Sequence, residues 1–174
     1  MTGVQTCALP ILISNEHRDR VHGYVEAGRE EGAEVVTGGE QPGDGKGAFY
    51  PPTVLAQVDN SMRVAQEEIF GPVVTVIPFE DEKDAIRIAN DVRYGLMATV
   101  WTGDPARGHR LARRIKAGTV GINMPFTAFP GIPFGGYKQS GFGRELVLET
   151  LDDYLETKSV IVSTSPKPFN PFGL

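Results

Sequence analysis

Few side chains in this sequence are of types that do chemistry, and their spacing is informative. Two adjacent carboxylates, Glu67 and Glu68, stand just ahead of a β-branched, apolar run at 73–79. Ionised carboxylates are acceptors only, and taken by itself such a pair reads as solvated charge. Asn123 ends the string TVGIN at 119–123. Ligands in open α/β sheets gather beyond the carboxyl ends of the strands, so an amide there can serve a bound group; it can equally form a turn. Cys7, within QTCA, is the one thiol in the chain. Phe70, Phe126, Phe129 and Phe134 accompany these polar groups. Aromatic walls around a reacting centre select apolar substrates and exclude water, and the same rings can simply pin a loop to the core. No metal site is expected. No strand–GxGxxG–helix unit occurs either.

The elements that must position these groups are legible from periodicity. Residues 73–79 (VVTVIPF) look like a strand buried on both faces. Asp81 can cap a helix with Ala85, Ile88, Ala89 and Val92 on one face, and Gly95 is a plausible stop. Residues 97–101 read as the next strand. Asp104 and Pro105 form an N-cap and first-turn proline, with Gly108, Leu111, Ala112 and Ile115 on one side and Gly118 as the end. Residues 119–123 make a third strand. Strand, helix, strand, helix, strand at this spacing predicts parallel pairing, so the expected class is α/β, a three-layer parallel sheet with flanking helices.

Around that unit, Ser14 or Asn15 can cap a helix carrying Val21, Tyr24, Val25 and Gly28, ending near Gly32. A short strand is expected at 34–37, then a glycine-rich loop at 38–47. An extended segment follows at 50–55, whose Pro51 and Pro52 suit a sheet edge. A long irregular stretch at 124–143 precedes a helix expected at 144–153 and a last strand at 155–162. Its glycines, Gly135, Gly136, Gly141 and Gly143, are better explained by backbone geometry than by phosphate binding. The tail, 163–174, is rich in proline and serine and is expected to be mobile.

The 174 residues suffice for one core, and 40% hydrophobic with 22% charged residues excludes disorder. The net charge of -5 leaves no basic surplus for nucleic acid or an anionic membrane. No apolar run approaches the ~20 residues of a spanning helix. A single cysteine rules out an internal disulfide, which fits a reducing cytoplasm.

Three strings in register carry a resemblance: EEIFGP at 67–72, GIN at 121–123, and PFGGYKQSGFGRE at 133–145 with ETKSVIV at 156–162 behind it. Over about residues 11–162 the chain resembles the C-terminal part of an NAD(P)-dependent aldehyde dehydrogenase. That implies oxidation of an aldehyde to a carboxylic acid through a cysteine thiohemiacetal, with NAD or NADP as cofactor and a small-molecule aldehyde as substrate. By the same resemblance Glu68 takes hydrogen bonds from the ribose diol beside the nicotinamide, and Phe70 lies against the nicotinamide ring. Asn123 would donate to the oxyanion of the tetrahedral intermediate. Phe134 would sit near the substrate channel, and Phe126 and Phe129 in the loop that varies with substrate. The strand at 154–162 would pair across a subunit interface in a homo-oligomer.

Two departures limit the carry-over. Cys7 precedes Glu68 by only 61 residues (68 − 7), whereas the family's nucleophile lies further upstream, so Cys7 is not expected to be the nucleophile. Residues 1–10 as a whole read as a leader foreign to the family and artefactual in look. The resulting division is leader 1–10, catalytic-domain portion 11–153, oligomerisation strand 154–162 and tail 163–174. The isolated chain is expected to be inactive. The alternative is a non-catalytic oligomerisation or regulatory partner of a full-length aldehyde dehydrogenase.

Overall fold

The computed structural model describes residues 10–41, 47–125, 129–164, 167 and 171. Cys7 and Phe126 lie outside the described residues.

Helix α1 spans Asn15–Glu30. The Ser14 hydroxyl accepts from the His17 amide at 3.1 Å, which satisfies one of the free N–H groups of the first turn. Val21, Val25 and Gly28 recur at i, i+4 and i+7 and are buried, the apolar stripe of an amphipathic helix. Val21 and Val25 join Tyr50, Leu55, Val58, Val64 and Ile69 in the main core. Strand β1 (Glu34–Thr37) pairs antiparallel with β2 (Thr53–Ala56), and β2 pairs parallel with β3 (Val73–Thr75). Between β2 and β3 lies a single helical turn, α2 (Arg63–Gln66).

The segment with two prolines was expected at an edge, yet β2 is the central strand of this sheet. Pro51 and Pro52 stop just short of it, so their missing N–H groups cost no ladder bond. The first strand residue, Thr53, is buried, donates to the Pro51 carbonyl at 2.9 Å and accepts from the Gly39 amide at 2.9 Å.

The second half of the molecule holds α3 (Glu82–Asn90), β4 (Tyr94–Gly95), β5 (Met97–Val100), α4 (Pro105–Arg114), β6 (Thr119–Ile122) and β7 (Tyr137–Lys138). Asp81 caps α3 through the Asp84 amide at 2.8 Å, and Asp104 caps α4 through the amides of Ala106 and Arg107, with Pro105 in the first turn. Each start lies where the sequence marks it. Strands β5 and β6 are parallel, Met97 opposite Thr119 through Val100 opposite Ile122, with α4 as the crossover. A β-carbon on Gly135 would collide with the Gly143 carbonyl and one on Gly136 with Ser140, and Gly141 has φ +94°, so these three have the expected backbone reason, whereas a β-carbon on Gly143 would meet open space.

The expected continuous three-strand parallel sheet is not formed. Strand β3 pairs with β2, and among the described residues β5 pairs only with β6. The Thr53 amide donates to Pro72 O and the Val76 amide to Leu55 O, both at 2.8 Å, which lays 72–76 along β2. Beyond it, Pro78 cannot donate. Nor is the 73–79 run buried on both faces, since Val74, Val76 and Phe79 are exposed.

Two C-terminal expectations also change. The helix expected at 144–153 is a 3-10 helix at Leu148–Tyr154. Its first residues are drawn instead into an antiparallel bridge in which the Glu145 amide donates to Phe134 O at 2.7 Å and the Phe134 amide to Glu145 O at 3.1 Å. Residues 155–162 form no strand with any described residue and lie exposed, Ile161 at 94%.

Candidate cofactor and substrate site

The loop at 67–72 is pinned at alternate residues. A backbone bond from the Glu67 amide to Arg63 O closes α2, and the Glu67 carboxylate turns back to the protein. Ile69 enters the main core. Gly71 packs on Val21, where a β-carbon would stand 2.7 Å from both of its methyls. Between these inward residues Glu68 and Phe70 face outward, and Phe70 is 67% exposed. Phe70 has φ +53°, a left-handed backbone that costs energy for a non-glycine residue and persists only where neighbours fix it.

Glu68 lines a cavity of about 300 Å³ walled by Val92, Tyr94, Met97, Ala117 and Ser140. A neighbouring cavity of about 490 Å³ is lined by Phe134 with Arg144, Glu145 and Tyr154, and the two share Leu96 and Ser140. Phe70 lies elsewhere, in an open depression with Ile13, His17 and Arg20 at the start of α1. Phe129 is exposed and accepts a backbone bond from Ile132. The structure therefore brings Glu68 and Phe134 into adjoining hollows and leaves Phe70, two residues from Glu68, lining a separate depression.

Asn123 follows the last residue of β6, with φ +54°. Its Nδ2 donates to Thr102 O and its Oδ1 accepts from the Thr102 amide, both at 2.8 Å, while its own amide donates to Val100 O at 2.8 Å. The side chain thus ties the ends of β5 and β6 together and retains one amide N–H. Glu68 borders the opposite, amino-terminal ends of these strands through Met97 and Ala117. Four strand residues separate the two ends, roughly 13 Å.

Sequence reasoning missed the side chains that hold the site's floor. Lys138 donates to the carbonyls of Asn90 (2.8 Å) and Val92 (2.9 Å), satisfying free carbonyls where α3 ends. Asn90 in turn donates to Arg114 O and accepts from the Lys116 amide, which fixes α3 to the end of α4. Neither contact has a local signal, because the partners are 24 to 48 residues apart. Among the described residues no group of histidine, cysteine and acidic residues could hold a metal ion, and no helix is long and apolar enough to cross a membrane.

Comparison with known proteins decides the family. The model of the aldehyde dehydrogenase family matches residues 5–160. The chain belongs to the aldehyde dehydrogenase family. It is 48% identical over 165 residues to betaine aldehyde dehydrogenase of Bacillus subtilis, covering 93% of this chain and 34% of that protein. It is 49% identical to acetaldehyde dehydrogenase 2 of Cupriavidus necator, over 91% of this chain and 32% of the relative. Among solved structures, the Mycobacterium tuberculosis aldehyde dehydrogenase complexed with NAD+ superposes with TM-score 0.80 at 49% identity, covering 91% of this chain and 33% of that one. Betaine aldehyde dehydrogenase of Staphylococcus aureus in complex with NAD+ gives 0.85 at 45% identity, covering 93% and 33%. The chain spans about a third of the length of these aldehyde dehydrogenases. Their α/β fold is the class expected from the strand–helix alternation, while in this chain the strands fall into the three separate sheets given above.

Proposed function

We propose that this aldehyde dehydrogenase chain carries the nicotinamide-ribose and substrate-wall portion of a site that oxidises an aldehyde to a carboxylic acid with NAD(P)+. The observation that carries the reading is the loop at 67–72, where Glu68 and Phe70 face outward while Glu67 is bonded to Tyr24 and Arg63, Ile69 is buried and Gly71 packs on Val21. The donor set fits the cofactor: an exposed carboxylate beside a cavity can accept from both hydroxyls of a diol, and an exposed ring offers a face to a flat heterocycle. When bound, the nicotinamide accepts hydride. Glu68 fixes the ribose, Phe70 supports the ring, and Phe134 with Leu96 forms an apolar wall for the aldehyde's substituent. Phe129 and Phe126 belong to the substrate loop in this reading.

Asn123 has one amide N–H left after its two bonds to Thr102, and that N–H is the group offered to the developing oxyanion. No cysteine lies among the described residues. The thiolate that forms the thiohemiacetal is therefore not assigned here, and by itself the chain is expected neither to turn over aldehydes nor to bind NAD+ tightly. Residues 155–162, extended with Val160, Ile161 and Val162 exposed, favour pairing with another chain in a homo-oligomer. That observation also supports the second reading, a non-catalytic partner of a full-length relative.

The test is complementation. Co-expression with the amino-terminal two thirds of the B. subtilis betaine aldehyde dehydrogenase should give a complex that forms NADH from NAD+ and an aldehyde, followed at 340 nm. A stable complex without NADH formation would leave the non-catalytic partner standing and remove the catalytic reading.

A further inference from the structure

We propose that Glu67 is a positioning residue for Glu68 and Phe70, acting through a carboxylate clamp that joins the loop to α1 and α2. The inference rests on the reading that Glu68 and Phe70 meet a cofactor. One oxygen of Glu67, Oε2, accepts from the Tyr24 hydroxyl at 2.9 Å and from Arg63 Nε at 3.0 Å. The Arg63 guanidinium lies 4.6 Å from the centre of the Tyr24 ring, and the Arg63 amide donates to Glu31 Oε2 at 2.7 Å. The clamp therefore involves Tyr24 of α1, Glu31 just past its end, the turn of α2 and the first residue of the loop.

Geometry gives the clamp a specific task. On its carboxyl side Glu68 is held by Ile69 in the core and then by Gly71 against Val21. On its amino side the holding side chain is Glu67. With Glu67 committed to Tyr24 and Arg63, the two adjacent acids are no longer equivalent: one is spent on the protein, and the other is left at the cavity of about 300 Å³. The hydrogen-bond donors and cations around Glu67 favour its ionised form. Arg63 does so first through its hydrogen bond, Tyr24 next, and Arg93 at longer range, so its carboxyl lies below the ordinary value. A clamp that is charged at neutral pH holds the loop in the state that a cofactor would meet, which removes an ordering cost at binding.

The test uses the whole 174-residue chain as wild type, Tyr24→Phe, Glu67→Ala and Glu67→Gln. The order of the Glu68 and Phe70 amides is read by 15N relaxation, with millimolar NAD+ as the probe. Glu67→Ala and Tyr24→Phe should loosen both amides while the α1 amides stay ordered. Glu67→Gln, which keeps an acceptor oxygen, should restore much of the order. The weak NAD+ dissociation constant should rise on the order of three- to tenfold in Glu67→Ala, the scale of one lost hydrogen bond. Unchanged amides 68 and 70 in Glu67→Ala would overturn the proposal. So would loosening spread evenly over the chain, which is what a purely stabilising residue gives. If NAD+ moves neither amide in the wild type, the cofactor reading fails, and the relaxation data still decide whether Glu67 positions the loop.

Discussion

At the scale of single residues, the alternation of protein-bound and outward side chains at 67–71 turns an acidic dipeptide into two different groups. Glu67 is bound to the protein and Glu68 is presented, a distinction invisible in the string EE. Asn123 is a second case, because its side chain has a structural task with Thr102 and one spare donor. Asn123→Asp keeps an acceptor for the Thr102 amide but loses both donor functions, so kcat in the complemented enzyme should fall on the order of a hundredfold. An unchanged kcat would confine Asn123 to its Thr102 contact. Tyr50 gives a prediction independent of function. It is fully buried and shares a hydrogen bond with His22 Nδ1 at 3.0 Å. Burial pushes its phenol up from 10.0 to about 12, partly offset by Arg29. A folded-state value above the unfolded one means the contribution is complete below pH 10 and lost as pH rises from 10 through 12. Absorbance at 295 nm should show one of the five tyrosines ionising near pH 12, together with alkaline destabilisation. A Tyr50 transition at pH 10 in the folded chain would contradict the burial argument.

At the scale of elements, local chemistry sets the helix starts. Ser14, Asp81 and Asp104 each cap the helix that periodicity predicts. Asp104→Ala should cost about 1 kcal/mol, because it frees the two amides of Ala106 and Arg107. Urea unfolding followed by circular dichroism checks this, and an unchanged midpoint would show that Pro105 alone holds the start. Helix ends are less local. The sequence stops for α3 and α4 were Gly95 and Gly118, yet the helices end at Asn90 and Arg114. The Asn90 side chain takes Arg114 O and the Lys116 amide at the end of α4, and Lys138 takes the carbonyls of Asn90 and Val92 at the end of α3. The strands show the same limit. Hydrophobicity marks 73–79 as strand, but only backbone pairing assigns it to β2 rather than β5.

At the scale of the whole molecule, the described residues leave large apolar side chains exposed on 73–79, at Trp101 and along 155–162, more than a monomer leaves in water without association. Sedimentation of the purified chain should therefore show self-association. Deleting residues 155–174 should reduce it if the extended segment pairs between chains. Equal association with and without this segment would assign the contact to the open face of β3 and β5 instead.

The sequence by itself determined what depends on neighbours along the chain. Capping residues, the 3.6-residue stripe of α1, the β5–α4–β6 crossover and the family strings all lie within short windows, where backbone hydrogen bonds and side-chain spacing act directly. The tertiary structure alone decided which strand joins which sheet, which of two glutamates is left at the cavity, and that Glu145 bridges back to Phe134 instead of starting a helix. Each of these is settled by partners tens of residues away or by a backbone bridge across a loop. Competition for a shared carbonyl, amide or hydroxyl chooses among arrangements that local propensity leaves equal.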